Sequence, residues 1–284
     1  ASHRQNTVGK FADQSTFGLT GRVVCDMIIF VGKLADTWRI LMSPIVLIPA
    51  SIDTVAAERS GFRLGERGTH ATRTMMLAEL QYALAAVGPA ATRKDYTDAI
   101  VEGNCLGKPT AVTRRQTNQR LGELYCLDLS VPLFRVLRGL WDRDVPGRPL
   151  LALLCALTRD PLFAATADAV VQLEPDADFL REPMRTAIRS IAGDRLNDST
   201  LDKVVRNAAS SWTQSGHLEG RSLKRRCRVT PTPATVVFAI YLAYQVGFRG
   251  KDLFASGWVA TLDCSATLGQ KLALEAKRLG LIDI

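Results

Sequence analysis

Arg221, Lys224, Arg225, Arg226 and Arg228 crowd into the run LEGRSLKRRCRVT, residues 218 to 230, against a single acid, Glu219. Guanidinium and ammonium groups at that density neutralise phosphate oxygens. Leu218, Leu223, Cys227 and Val229, spaced between them, would anchor the run as a β-hairpin. Just upstream, Lys203, Arg206, Asn207, Ser210 and Gln214 fall on one face at helical spacing, and Leu201, Val204, Val205, Ala208 and Trp212 fall on the other. One face packs; the other is a row of hydrogen-bond donors suited to base edges and phosphates. Two elements must position these groups. Ser199 with Asp202 three residues on reads as a capping box that opens the helix, and Gly216 can take the left-handed conformation that ends it. A capped helix running straight into a basic hairpin is the order of a winged helix, and Trp212 on the apolar face is expected to be buried. The plain alternative is an amphipathic surface helix followed by a solvated charge run.

A second basic segment spans residues 93 to 128. Tyr96 to Glu102 fit a short helix, Gly103 to Pro109 a tight turn and Thr110 to Leu127 a longer helix, the pattern of a helix-turn-helix. The first half of the longer helix, TRRQTNQR, is polar all round, and an apolar face begins only at Leu121, Leu124 and Tyr125. Such a half-helix projects into solvent or into a partner. Lys108 in the preceding turn, with Thr113, Arg114, Arg115, Asn118 and Arg120, would supply charge and hydrogen bonds to nucleic acid, helped by the free N–H groups of the helix start. An exposed surface helix is the competing reading.

Residues 217 to 230 and 92 to 120 carry most of the excess positive charge of a 284-residue chain whose formal net charge is +8. Positive charge favours a polyanionic partner and says little about fold. An apolar content of 47% is ample for a core. The expected organisation is mainly α, with helix-turn-helix or winged-helix-like units and at most a small β-hairpin. Residues 1 to 22 form a flexible N-terminus, 23 to 175 an N-terminal helical domain, and 176 to 284 a C-terminal winged-helix-like domain. Helical spacing runs through Met27 to Met42, a short helix starts at Ser51 or Asp53 and stops before Gly61, and Thr72 to Val87 form an amphipathic helix. Val131 to Leu157 make the central core, with breaks at Pro146-Gly147 and after Asp160-Pro161. Phe179 to Ile191 form a helix carrying Arg181, Arg185 and Arg189, a stripe that is more often solvated than functional. The twelve residues Thr235 to Val246 form a buried helix, too short to span a membrane, and Thr267 to Leu279 close the fold as an amphipathic helix.

Cys25, Cys105, Cys126, Cys155, Cys227 and Cys264 lie far apart with no CxxC pair and no histidine at metal-ligand spacing, so neither zinc nor a disulfide framework is expected. That usage fits a reducing cytoplasm. Met27 to Ala50 is apolar but is interrupted by Lys33, Asp36 and Arg39 and broken by Pro44 and Pro49, so it does not read as a membrane span. No signal-peptide pattern opens the chain, and its start at Ala1 points to processing or a trimmed tag.

Three blocks make the chain resemble the BrxA-like family, the small protein of BREX bacteriophage-defence islands. They are NCLGKPTAVTRRQTNQRLGELYCLD (Asn104 to Asp128), RPLLALLCALTRDPLF (Arg148 to Phe163) and STLDKVVRNAASSWTQSGHLEG (Ser199 to Gly220), the last leading to the apolar helix around Phe238 to Tyr244. The likeness runs from about Thr69 to Ile284 and leaves residues 1 to 68 unexplained. It implies a largely helical protein that binds double-stranded DNA through Thr113, Arg114, Arg115, Asn118 and Arg120 in one unit, and through Lys203, Arg206, Asn207, Ser210 and the hairpin bases in the other.

Catalysis is not expected. P-loop, GxGxxG, HExxH and GxSxG patterns are absent, and His3, His70 and His217 are scattered, with His70 read as a loop residue and His217 as a capping residue. The expected function is therefore non-catalytic binding of duplex DNA without metal or cofactor, within a phage-defence system. The alternative is a helical scaffold that assembles protein partners without touching nucleic acid. An RNA-binding role is disfavoured by an aromatic content of 7%, and a lipid-surface role rests only on the Met27 to Ala50 run.

Overall fold

The computed structural model describes residues 44 to 283, so the expected flexible start and the helical spacing of Met27 to Met42 lie outside the described residues. From Ile45 onward the chain forms one compact unit. It is mainly α, with one two-stranded antiparallel sheet among the described residues.

Helices α1 (Thr54–Ser60), α2 (Leu77–Ala86) and α3 (Arg93–Thr97, continued by a π turn over Asp98–Glu102) precede α4 (Ala111–Tyr125) and α5 (Pro132–Trp141). Then come α6 (Arg148–Arg159), α7 (Pro161–Ala164), α8 (Ala167–Val171), α9 (Arg181–Ala192) and α10 (Asp198–Gln214). Strands β1 (Leu218–Glu219) and β2 (Arg225–Arg226) follow, and α11 (Pro233–Gln245), α12 (Asp252–Ala255), α13 (Gly257–Ala260) and α14 (Ala266–Arg278) complete the chain. The core is built where the sequence is continuously apolar. Every residue of α6 from Leu150 to Thr158 is buried, as is α11 from Ala234 to Ile240. Such all-round apolar helices are core elements.

The starts of the helices are set by local capping chemistry. Asp53 caps α1 through the Ala56 N–H, and Thr92 forms a full capping box with Asp95 on α3. The cap of α10 is Asn197, whose Oδ1 accepts from the Thr200 N–H at 2.9 Å, so the helix begins before Ser199, the expected cap. The expected helix over Thr72 to Val87 is confined to Leu77–Ala86. The residues before it stay outside the helix, with Met76 in the left-handed region (φ +56°), because side chains of other elements take the backbone groups around them. Ser211 Oγ receives the Met75 N–H (2.8 Å), Gln214 receives the Leu77 N–H (3.0 Å) and the Tyr125 hydroxyl donates to the Met75 carbonyl.

From α8 onward the order is helix, extended segment, helix, helix, strand, strand. Asp178 in the extended segment forms an isolated bridge with Arg225, and β2 is hydrogen-bonded on both sides, to β1 and to residues 176 to 179 (Asp176 N–H to Arg226 O 2.8 Å, Phe179 N–H to Lys224 O 2.8 Å). That is winged-helix-like topology, with α9 and α10 as the helix pair and the hairpin as the wing. No gap in packing falls at residue 175, where a domain boundary is expected. The wing's Arg226 reaches back to the Val170 carbonyl (2.9 Å), and α10 is bonded to residues 70 to 77.

Candidate nucleic-acid interface

Helix α10 ends in a Schellman motif. The Gly216 N–H (φ +88°) donates to Thr213 O and the His217 N–H to Trp212 O, which turns the chain directly into β1. Trp212 is fully buried, as its place on the apolar face requires, and its indole N–H donates to Thr166 Oγ1 at 2.8 Å. This anchor fixes the rotation of α10, so the exposed flank is set: Lys203 and Arg206 are exposed and Ser210 half-buried. Asn207 and Gln214, expected on the same flank, instead turn toward the preceding loop, where Asn207 donates to the His70 carbonyl at 2.8 Å. An α-helical face is wide enough to touch two neighbours, and these two amides sit at its edge.

The wing differs from expectation in three side chains. Arg226 is 2% exposed; its Nε donates to Val170 O, its other nitrogens to Cys227 O and to the Asp263 carboxylate. It is a structural tie between hairpin, α8 and residue 263, not a phosphate ligand. In a strand, side chains alternate between faces, so with Arg225 outward its neighbour Arg226 must point in, and it is satisfied there by an acceptor for each nitrogen. Arg225 is exposed and lies 3.5 Å from Asp178, whereas Arg221 and Arg228 are exposed without a carboxylate partner among the described residues. Leu223, expected to anchor the hairpin, is 86% exposed at its tip.

Between α10, the start of α9 and the wing lies a groove of ≈ 830 Å³. Phe179 and Ala209 lie in its floor, and Arg181, Arg206, Arg221 and Lys224 bring four cations to it with Ser210 and Ser222 between them. Its one carboxylate, Asp178, faces Arg225. Lys224 is held in place by hydrogen bonds from Nζ to Thr213 Oγ1 (2.8 Å) and Gly220 O (2.9 Å). Its ammonium is held below the usual lysine value, first by burial and then by the charge of Arg181. A fold that gathers like charges without a counter-ion accepts repulsion that an anion would relieve. A neighbouring hollow of ≈ 600 Å³ shares Arg181 and Arg206 but also holds Glu182 and Asp202. Arg185 there is paired with Asp198 and Asp202, and Arg189 with Asp198, so of the expected solvated stripe only Arg181 is left without a carboxylate among the described residues. Sequence reading leaves Arg181 out of the site because it sits with two structural arginines at identical spacing.

The helix-turn-helix of α3 and α4 contributes much less than its sequence promises. Arg114 turns inward and donates to the Val101 carbonyl at 2.6 Å; Asn118 receives Arg93 (2.9 Å) and faces Thr97; Arg120 pairs with Glu123 (2.8 Å); Lys108 pairs with Glu79 (2.9 Å). Thr113 is capped by Thr110, which takes one of the supposedly free N–H groups, and Thr117 is buried. The polar first half of α4 has packed after all, through hydrogen bonds to the π turn and to α3. Of the expected contacts here, Arg115 alone stays exposed and without a side-chain bond to the described residues.

Sequence reading also missed a buried trio. His70 Nδ1 meets Asp160 Oδ2 at 2.7 Å and its Nε2 meets Ser211 Oγ at 2.8 Å, with all three residues fully enclosed. The spacing mimics a hydrolase triad, but the hydroxyl is committed elsewhere: Ser211 Oγ donates to Asn207 O (2.9 Å) and accepts the Met75 N–H. A nucleophile needs its proton directed at the histidine and an approach for substrate. The trio acts instead as a clamp between the 69–77 segment, the α6–α7 corner and α10. Burial works to raise the Asp160 carboxyl, but the His70 charge and hydrogen bonds from His70 and Phe163 outweigh it and hold it below the usual carboxylate range. Gly68 allows this approach, since a Cβ there would fall 1.9 Å from Asp160 Oδ1.

His217, beneath the wing, is equally buried. Its Nε2–H donates to Thr261 O (2.8 Å) and Nδ1 meets Ser215 Oγ (2.9 Å). Burial first, and the Arg226 charge second, lower its value from 6.5 to about 4. The unfolded chain therefore takes up a proton that the fold refuses, so stability is unaffected above pH 6.5 and falls as pH drops from 6.5 toward 4. Between pH 7 and pH 5 this one group should remove about 2 kcal/mol. Urea midpoints of the wild type and His217→Gln measured at both pH values check it. The variant should lose less on acidification, and an equal loss would place the titration elsewhere.

No protein-family profile matches the chain, and no curated protein is significantly similar to it. The functional reading rests on the residues themselves.

Proposed function

We propose that the protein is a non-catalytic double-stranded DNA-binding protein whose wing and exposed α10 flank grip the phosphate backbone, with Arg181, Lys203, Arg206, Arg221 and Lys224 as phosphate ligands and Ser210 as a hydrogen-bonding neighbour. The observation that carries the reading is the groove in which four cations converge with their one acid already facing another arginine. The winged-helix-like order supports it, because that order sets a helix and a hairpin side by side where two strands of a duplex can be met. The resemblance to the BrxA-like family adds the proposal that the DNA is engaged within a bacterial phage-defence system, alongside other defence proteins.

Amide hydrogen exchange with and without a random-sequence duplex of about 20 base pairs, roughly two helical turns, tests this. Duplex should slow exchange over residues 199 to 210 and 219 to 225 and leave α14 unchanged. Absence of protection at these residues would overturn the reading. In that case protection of the same surface by a protein partner would point to the scaffold alternative.

A further inference from the structure

Leu223 is the most exposed large hydrophobic side chain among the described residues, at 86%, and it stands at the tip of the most basic segment of the chain. A leucine in a hairpin normally packs, and Leu218 and Val229 of the same hairpin do so. The tip is also held rigidly. Gly220 has φ +96°, and a Cβ there would lie 2.1 Å from the Leu223 carbonyl oxygen, so the loop closes on a position only glycine fills. Lys224 Nζ ties the closed loop to Gly220 O and to α10 through Thr213. The neighbouring side chains are Arg221 and Lys224, with Leu180, 67% exposed, lining the same groove.

We propose that Leu223 is an apolar wedge that enters the minor groove beside the site gripped by the wing, partly unstacks a base step and bends the duplex. This rests on the DNA-binding reading above. Apolar side chains presented by basic elements act on DNA in this way, kinking it by about 20–90°. A protein-docking surface would need apolar neighbours around the leucine, whereas here the flanks are cationic and a single second leucine is near. A wedge must also be rigid, because a floppy tip would lose its order on insertion, and the Gly220 closure with the two Lys224 bonds provides that.

The test uses a duplex of about 30 base pairs, three helical turns, carrying a fluorescence-transfer pair at its ends, titrated with the full chain. Wild type should bring the ends together on binding. Leu223→Ser, a change at an exposed position that leaves the fold intact, should keep affinity within about threefold, because the phosphate ligands remain, yet lose most of the transfer change. Leu223→Met should retain it. Wild type that binds without any transfer change, or Leu223→Ser that bends DNA as fully as wild type, overturns the wedge and leaves DNA binding standing. Absence of duplex binding overturns both. Leu223-dependent binding to phosphatidylserine vesicles in place of duplex also overturns the wedge, by assigning the tip to a lipid surface.

Discussion

Arg226→Ala is expected to lower stability by about 3–5 kcal/mol, the cost of removing one partner from a buried ion pair. The guanidinium is enclosed, and each of its nitrogens has an acceptor, in Val170 O, Cys227 O and the Asp263 carboxylate. Its removal strands the main-chain carbonyls and leaves Asp263, which also receives the Val229 N–H at 2.8 Å, short of its cation. Three separate pieces of chain, α8, the hairpin and the loop after α13, lose their common tie. Arg228→Ala, two residues away and exposed, should change stability by less than about 0.5 kcal/mol. Urea denaturation of both variants checks the contrast, and equal effects would contradict the burial of Arg226. A variant that replaces Arg225, Arg226 and Arg228 together therefore mixes unfolding with lost contacts and does not measure DNA binding.

The second large effect belongs to the groove. Arg181, Arg206 and Arg221 have no carboxylate partner among the described residues, so replacing all three by alanine should leave stability unchanged or slightly improved, because like-charge repulsion with Lys224 is relieved. Hydrogen bonds to charged groups are worth about 1.5–3 kcal/mol each, so losing three phosphate contacts should weaken duplex binding by at least about a thousandfold at low salt. Arg114→Ala offers the opposite pattern. Its bond to the Val101 carbonyl is internal, so stability should fall while duplex affinity is kept. Fluorescence anisotropy on a labelled duplex reads the first variant, and thermal melting reads both.

Much of this architecture is legible in the sequence. The apolar blocks became α6 and α11, Trp212 is buried, and the helix followed by a basic hairpin is where periodicity and charge place it. The errors share one cause. Sequence periodicity reports where apolar side chains go, but it does not report which polar side chains find an internal acceptor. Arg114, Asn118, Arg120, Asn207 and Arg226 are each of a type that reads nucleic acid, and each is spent within the fold on a carbonyl, a carboxylate, a hydroxyl or a guanidinium. The His70, Asp160 and Ser211 clamp was invisible for the same reason, since its members are brought together only by tertiary packing. For Arg226 a signal did exist. In the pair Arg225-Arg226 strand alternation allows only one outward side chain, and Leu218, which faces Arg226 across the ladder, is apolar. For Leu223 the sequence pointed the wrong way, because a leucine between charges reads as an anchor.

Phosphate binding by the groove and the α10 flank is tested most directly by the salt dependence of duplex affinity for wild type and for the Arg181, Arg206 and Arg221 alanine variant. Each neutralised phosphate contributes about 0.9 to the slope of log affinity against log salt concentration. With Arg181, Lys203, Arg206, Arg221 and Lys224 as ligands, wild type should show a slope of about −4.5, and the triple variant a slope flatter by about 2.7. A wild-type affinity that is insensitive to salt, or a variant with the wild-type slope, would contradict phosphate binding there.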